Sequence, residues 1–349
     1  YMTVENVLTR RQILNQRFAG GEALTAEKIL RRIYLRITER LLRDPDEFQQ
    51  LELVRMRDDI NNILSLEFDE LKKVIVDSAL DFADAEAGFI YAALAGESTV
   101  VLALPALPQV RQAVLQSGMD VVVGTGQLTI NEALDQFAVK KGIEIRQALN
   151  DGVLDGETNK QIAAKIKDYG DNLHAGQVNA LVRTSINNAS AQARKVVTSD
   201  NSFIFKGDEW VATLDSRTTL ICGGRDGRIY PINSGPYPPA HWNCRSLRVP
   251  VVKDEFRIDD GLGRRPQVGA DGPKAVSSKR TFDSFMRDQP ADFQDEYFSQ
   301  FPDGLEKAAL FRRGKLTIDR FRDELGRNYT LDQLRALEPM AFNKANLGI

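Results

Sequence analysis

The feature that most constrains this chain is the spacing of apolar residues through its first ninety-odd positions. In LRRIYLRITERLL, the residues Leu30, Ile33, Leu35, Ile37, Leu41 and Leu42 recur at steps that place most of them on one side of a helix. After Pro45 and Asp46, which break the pattern, Ile60, Ile63, Leu64, Leu71, Val74 and Ile75 continue it toward Gly96. A second long helix, or a broken pair, is expected there. Helices of this length bury one face each, so the spacing predicts the core of a helical bundle, with surplus apolar faces left for assembly. Such a chain cannot be an all-β protein.

Helical pattern returns beyond the prolines of LALPALPQ. LTINEALDQFAVKKGIEIRQALNDGV reads as a helix capped by Thr129 or Asn131, and a short helix follows Gly156 and Thr158. The stretch AGQVNALVRTSINNASAQARKVVTSD reads as a third. In it Ala180, Thr184, Asn187 or Asn188, and Ala191 form a small-residue stripe suited to close packing, while Arg183 and Arg194 lie near enough to anchor a carboxylate. From Asn201 the texture changes to aromatic and β-branched residues. NSFIFKGDEWVATLDSRT, with Gly207–Asp208 as a turn signal, and SLRVPVV both read as strands. The expected organisation is α+β and mainly helical: a long-helix region over 1–109, helices over 110–200, a small strand module over 201–253, an extended linker or clamp over 254–280, and helices over 281–349, where Thr330 and Gln333 have capping-box spacing.

The strand module holds both cysteines and one of the two histidines, in CGGRDGRIYPINSGPYPPAHWNCRS. Cys222, His241 and Cys244 are ligand types for zinc, and Asp215, Asp226 or water would supply the fourth position that a structural site needs. Metal, disulfide and two buried free thiols all remain open on residue types. Pro238 and Pro239 stiffen the approach to His241, Asp226–Gly227 is a turn signal, and Arg217 and Arg245 are forked donors able to hold Asp215 or Asp226. Trp210 and Trp242 are expected in cores. Zincin, zinc-deaminase, Walker A and nucleophile-elbow signatures are all missing from the sequence, which argues against catalysis. A net charge of −3 gives no overall basic field for nucleic acid, and no apolar run approaches bilayer length. Two cysteines in 349 residues suit synthesis in a reducing cytosol, and a first residue other than methionine suggests a start upstream of Tyr1.

The pattern of Trp210, Asp215, Arg217, Thr218, Cys222, Asp226, Gly227, Pro238, Pro239, His241, Asn243, Cys244 and Arg245 resembles the core of the phage Mu F-like head morphogenesis family, also called minor head or minor capsid proteins. The resemblance extends from about Leu128 to Leu337. Many members end the motif Cys-Arg-Cys, whereas this chain has Ser246 in the last position, so a site using that cysteine is not open to it. The resemblance implies a structural protein of a tailed phage, made in the host cytoplasm and carried in the virion. It would sit at the portal or the inner capsid surface, touch the portal or major capsid protein, and lie within reach of packaged DNA. A metal-dependent hydrolase or a toxin-linked module is the rival reading. No membrane role is implied.

Overall fold

The computed structural model describes residues 3–43, 50–122, 126–258 and 263–347. The break expected at Pro45 and Asp46 lies outside them. The N-terminal body contains α1 (Val4–Leu41), α2 (Gln50–Ala95), α3 (Leu107–Gln116), the short antiparallel strands β1 (Met119–Val122) and β2 (Gly126–Leu128), α4 (Ile130–Leu154), α5 (Asn159–Asp168) and α6 (Ala175–Asp200). Beyond its start α2 is one unbroken helix, not a pair. Its buried stripe runs Ile60, Leu64, Phe68, Leu71, Ile75, Ala79, Ala83, Ala87, Ile90, Leu94, three or four residues at each step. The α1 stripe is as regular, and α1, α2 and α6 pack against one another along these faces. Thr129 and Thr158 cap α4 and α5, each with a full capping box.

One layer of this bundle is polar. Glu86 of α2 is fully buried and accepts hydrogen bonds from Arg11 Nε (2.8 Å), Asn15 Nδ2 (3.0 Å), Ser190 Oγ (2.9 Å) and Arg194 Nη2 (3.3 Å). A buried carboxylate is tolerated only when paired and hydrogen-bonded in this way. Arg194 anchors a carboxylate, as its place near the small-residue stripe suggested. Arg183 instead bonds Asn179 and the Gln16 carbonyl.

The second layer is a three-stranded antiparallel sheet of order β4-β3-β5, formed by β3 (Phe205–Val211), β4 (Ile229–Tyr230) and β5 (Leu247–Val252), with helix α7 (Leu220–Arg225) between β3 and β4 in sequence. Side chains alternate across it. Phe205, Val211, Leu247, Val249 and Val252 join the same apolar core as the long helices, while Trp210 and Ala212 face the cysteines. One continuous core therefore crosses the expected boundaries near residues 109 and 200. Gly207–Asp208 is not a turn. It lies inside β3 at a register shift, where a side chain on Gly207 would strike the Tyr230 carbonyl.

Residues 254–280 are not simply an extended linker. Strands β6 (Arg264–Gly269) and β7 (Gly272–Ser277) form an antiparallel hairpin against α1, and Val268 N–H bonds the Leu214 carbonyl at 2.8 Å. The segment was expected to be extended because it has few apolar residues; backbone pairing and one buried arginine, Arg265, hold it instead. Helices α8 (Phe282–Arg287), α9 (Ala291–Ser299), α10 (Gly304–Arg312), α11 (Leu331–Leu337) and α12 (Pro339–Ala345) gather around their own aromatic core, which Leu214 and Leu220 enter from the sheet layer. None of the helices among the described residues is long and apolar enough to cross a membrane.

Candidate metal centre

Helix α7 is capped by Thr219, whose hydroxyl accepts from Cys222 N–H, and Cys222 is the third residue of the helix. Cys222 is buried, and the next residue, Gly223, lies against the Phe282 ring, where a side chain would not fit. His241 and Cys244 come from the loop before β5. That loop is fixed from several sides. Arg248, buried in β5, donates to the carbonyls of Ser234 (2.8 Å), Pro231 (3.2 Å) and Tyr230 (3.3 Å) and pairs with buried Asp208 at 3.4 Å. Asn243 takes the left-handed conformation with φ of 59°, which asparagine tolerates, and its N–H bonds Thr184 Oγ1 of α6 at 2.9 Å. The stripe residue Thr184 thus reaches the loop directly.

The three ligand atoms meet. Cys222 Sγ lies 3.2 Å from His241 Nε2 and 3.7 Å from Cys244 Sγ, and all three lie within 4.8 Å of one another. The cysteines are free thiols. His241 Nδ1 donates to the Trp242 carbonyl at 2.8 Å, which orients the ring so that Nε2 faces the sulfurs. Burial pushes the Cys222 thiol well above its ordinary range, and its hydrogen bond with Cys244 adds to this. At Cys244 burial acts in the same sense, but the Cys222 hydrogen bond and the His241 charge outweigh it and hold the thiol well below that range. Burial lowers His241, yet the charge and hydrogen bond of Cys244 raise it overall. A tetrahedral zinc with Zn–S near 2.3 Å separates two sulfurs by about 3.8 Å, so the spacing of these thiols fits that ion. Ser246 is buried and hydrogen-bonds Cys222, which puts a hydroxyl beside the cluster at the position where the family pattern has cysteine.

Asp226 is not part of the cluster. Its Oδ1 accepts from Ala212 N–H (2.6 Å) and Arg265 Nη2 (3.1 Å), and its Oδ2 from Phe282 N–H (2.7 Å) and Arg265 Nη1 (3.0 Å). Four donors leave it no lone pair suited to a metal. Among the described residues no fourth Asp, Glu, His or Cys joins the three. Asp215 is also engaged, by Arg245 at 2.5 and 2.8 Å. Burial alone would raise its carboxyl, but those two hydrogen bonds and the charge hold it below the usual range. Arg217 is only loosely associated, 3.7 Å from Asp215. Gly227 has φ of 80° and donates its N–H to the Trp210 carbonyl at 2.8 Å, the tight turn that Asp226–Gly227 signalled. Pro239 follows a cis Pro238–Pro239 bond. Trp210 is fully buried under Arg225, whereas Trp242 is 38% exposed and no core residue. The other histidine, His174, lies in the helical body between Tyr34 and Glu144, with its pKa lowered to about 4, chiefly by burial.

Sequence reasoning missed Arg248 and Arg265. Each is an isolated arginine in a strand-forming run, Arg248 40 residues from Asp208 and Arg265 39 residues from Asp226, and nothing local pairs them. Alternation along β5 placed Arg248 on a covered face and was the one available signal.

A small sheet closed by a Cys/His cluster and three aspartate–arginine pairs, built onto a bundle of long helices, defines a scaffold with a stapled module. Residues 143–248 match the family described as Phage Mu protein F like protein, in line with the resemblance carried by the motif. The match begins inside α4 and ends inside β5, leaving α1 and α2, which complete its core, and β6, which completes its ion pairing, outside it. An uncharacterized protein of Haemophilus influenzae is 26% identical over 121 residues, covering 33% of this chain. The chain spans about a quarter (26%) of that relative's length. No solved structure matches.

Proposed function

We propose that the chain is a structural, non-enzymatic minor head protein of a tailed phage, sited at the portal vertex or inner capsid surface, with a zinc ion closing its sheet module. The family match over the module carries the reading, and the geometry is consistent with it: Arg248, Asp208 and the Asn243–Thr184 hydrogen bond hold the loop that carries His241 and Cys244. Zinc would be held by Cys222, His241 and Cys244, with water or the Ser246 hydroxyl completing the shell, and its contribution would be to folding rather than to chemistry. Contacts with the portal, the major capsid protein and packaged DNA belong to the same proposal.

Docking by the N-terminal helices cannot rest on unsatisfied length, because α1 and α2 spend their main stripes on each other and on α6. Contact would have to use residues on their outer faces, such as Leu24 and Leu66. Mass spectrometry of purified virions should find the chain in a few copies per particle; its absence from mature and precursor heads would overturn the assignment. For the metal, elemental analysis should return close to one zinc per chain, and Cys244→Ser should lose it with a fall of about 2 kcal/mol in stability. Metal-free protein whose thiols alkylate freely in the native state would exclude the ion.

A further inference from the structure

The outermost line of α1 reads Arg10, Leu14, Arg17, Gly21, Leu24, Lys28, at alternating steps of four and three that keep all six on one side of the helix, opposite its buried stripe. Every one of them is exposed. Among the described residues the three bases of this line make no ion pair, whereas Arg32, Arg36 and Arg40, which lean toward α2, pair with its carboxylates. Leu14 and Leu24 are 52% and 59% exposed. At Gly21 there is open space where a side chain would project. A glycine in an exposed helix interior is unfavourable relative to alanine, and no neighbour in this chain crowds the position.

The outer line of α2 is its counterpart. Asp58, Asp69 and Asp77 are exposed there and likewise make no ion pair among the described residues, and Leu66 stands 70% exposed between the first two. The spacings match. Lys28, Arg17 and Arg10 are separated by eleven and seven residues, and Asp58, Asp69 and Asp77 by eleven and eight, so each row of charge extends over about 27–29 Å of helix. Laid antiparallel, the two lines bring Lys28 to Asp58, Arg17 to Asp69 and Arg10 to Asp77, and they bring Leu66 onto the gap at Gly21. Lys73 then faces Ile13 and not a base, while Arg55 would meet Arg31, so the contact ends at Lys28. Within one molecule α1 and α2 pack on each other by their buried stripes, so their outer lines cannot pair with each other there. We infer that α1 of one copy docks antiparallel on α2 of a second copy through these outer lines, which leaves a free α2 line at one end of the pair and a free α1 line at the other. A head-to-tail contact of this kind builds rings or open rows rather than closed dimers. The inference is independent of the phage-head reading, since both faces belong to this chain.

The test is sedimentation equilibrium of the intact chain from micromolar to millimolar concentration, at low and at high salt. Mass should rise with concentration past that of a dimer, and high salt should weaken the association severalfold, because exposed charge pairs are screened. Arg17→Glu or Asp69→Arg alone should weaken it at least about tenfold by setting like charges opposite each other, whereas the two changes in one chain, or the two single variants mixed, should restore it. Both side chains are exposed and unpaired or loosely held in the monomer, so circular dichroism should show the helices unchanged. Gly21→Leu should raise helix stability yet weaken association severalfold, two opposed effects that a role confined to its own helix would not give. A monomer at every concentration, single variants that associate like the wild type, charge exchange that fails to restore association, or a double-stranded oligonucleotide bound by the α1 line in place of a second copy would each overturn the inference.

Discussion

The helical body and the cysteine module solve the same problem by different means. In the body, three long helices bury continuous apolar stripes, and Glu86 with its four donors is a polar insertion in a large core. In the module, the apolar cluster around the cysteines is only Trp210, Ala212, Ile221, Cys222, Ala240 and Cys244, and three aspartate–arginine pairs do much of the holding: Asp208–Arg248, Asp215–Arg245 and Asp226–Arg265. Small cores are marginal on burial alone, so cross-links, ions or polar staples supplement them. Size of core decides which device a region needs.

The largest expected effect tests that contrast directly. Asp226→Ala removes one partner of a fully buried pair and strands Arg265, at a cost of about 3–5 kcal/mol. Hydrogen exchange should then accelerate in residues 264–277 and at Phe282 while α1 and α2 keep their protection. Uniform acceleration across the bundle would mean that the module is not a separately held unit.

A smaller effect is tied to acidity. Burial, reinforced by Glu5 and Asp226 and opposed by Arg265, raises Glu209 to about 7 from an ordinary value of 4.5. The folded protein therefore favours the protonated form, so this group's stabilisation is complete below 4.5 and is lost as pH rises through about 7. Thermal melts of wild type and Glu209→Gln should diverge across that interval, the wild type losing stability relative to the variant. Parallel melting curves between pH 5 and 8 would show that Glu209 on the central strand does not carry this pH dependence.

The smallest change belongs to the body. Thr158→Ala deletes the N-cap of α5 and should cost about 1 kcal/mol without altering the module's metal content or exchange. A loss much above that would show the body depending on single polar contacts as the module does.

What was legible in the sequence follows the same division. Helix periodicity placed α4 and α6 closely, and capping signals placed helix starts at Thr129 or Asn131, after Gly156 and Thr158, and at Thr330, of which Thr129, Thr158 and Thr330 are the caps, because these signals lie within one or two turns of the residues they govern. The convergence of Cys222, His241 and Cys244 was readable from residue type and a motif. Asp226 was misassigned because its four donors come from Ala212, Arg265 and Phe282, and only the folded chain brings them together. The β6–β7 hairpin escaped notice for a similar reason: its strands are defined by each other and by α1, not by an apolar alternation of their own. Nothing near Glu86 in sequence announces Arg11, Ser190 or Arg194.

The hydrogen bond from Phe282 N–H to Asp226 sets an order of events during synthesis. The partners are 56 residues apart, so a ribosome that has just released the motif through Arg245 has produced an aspartate whose last donors are still unmade. Both Arg265 and Phe282 must emerge before that carboxylate can be enclosed without penalty. A nascent chain stalled between these points would carry the whole family-like segment in an unfinished state, and the stretch beginning at β6 acts, for that interval, as a portion of the fold still to be delivered.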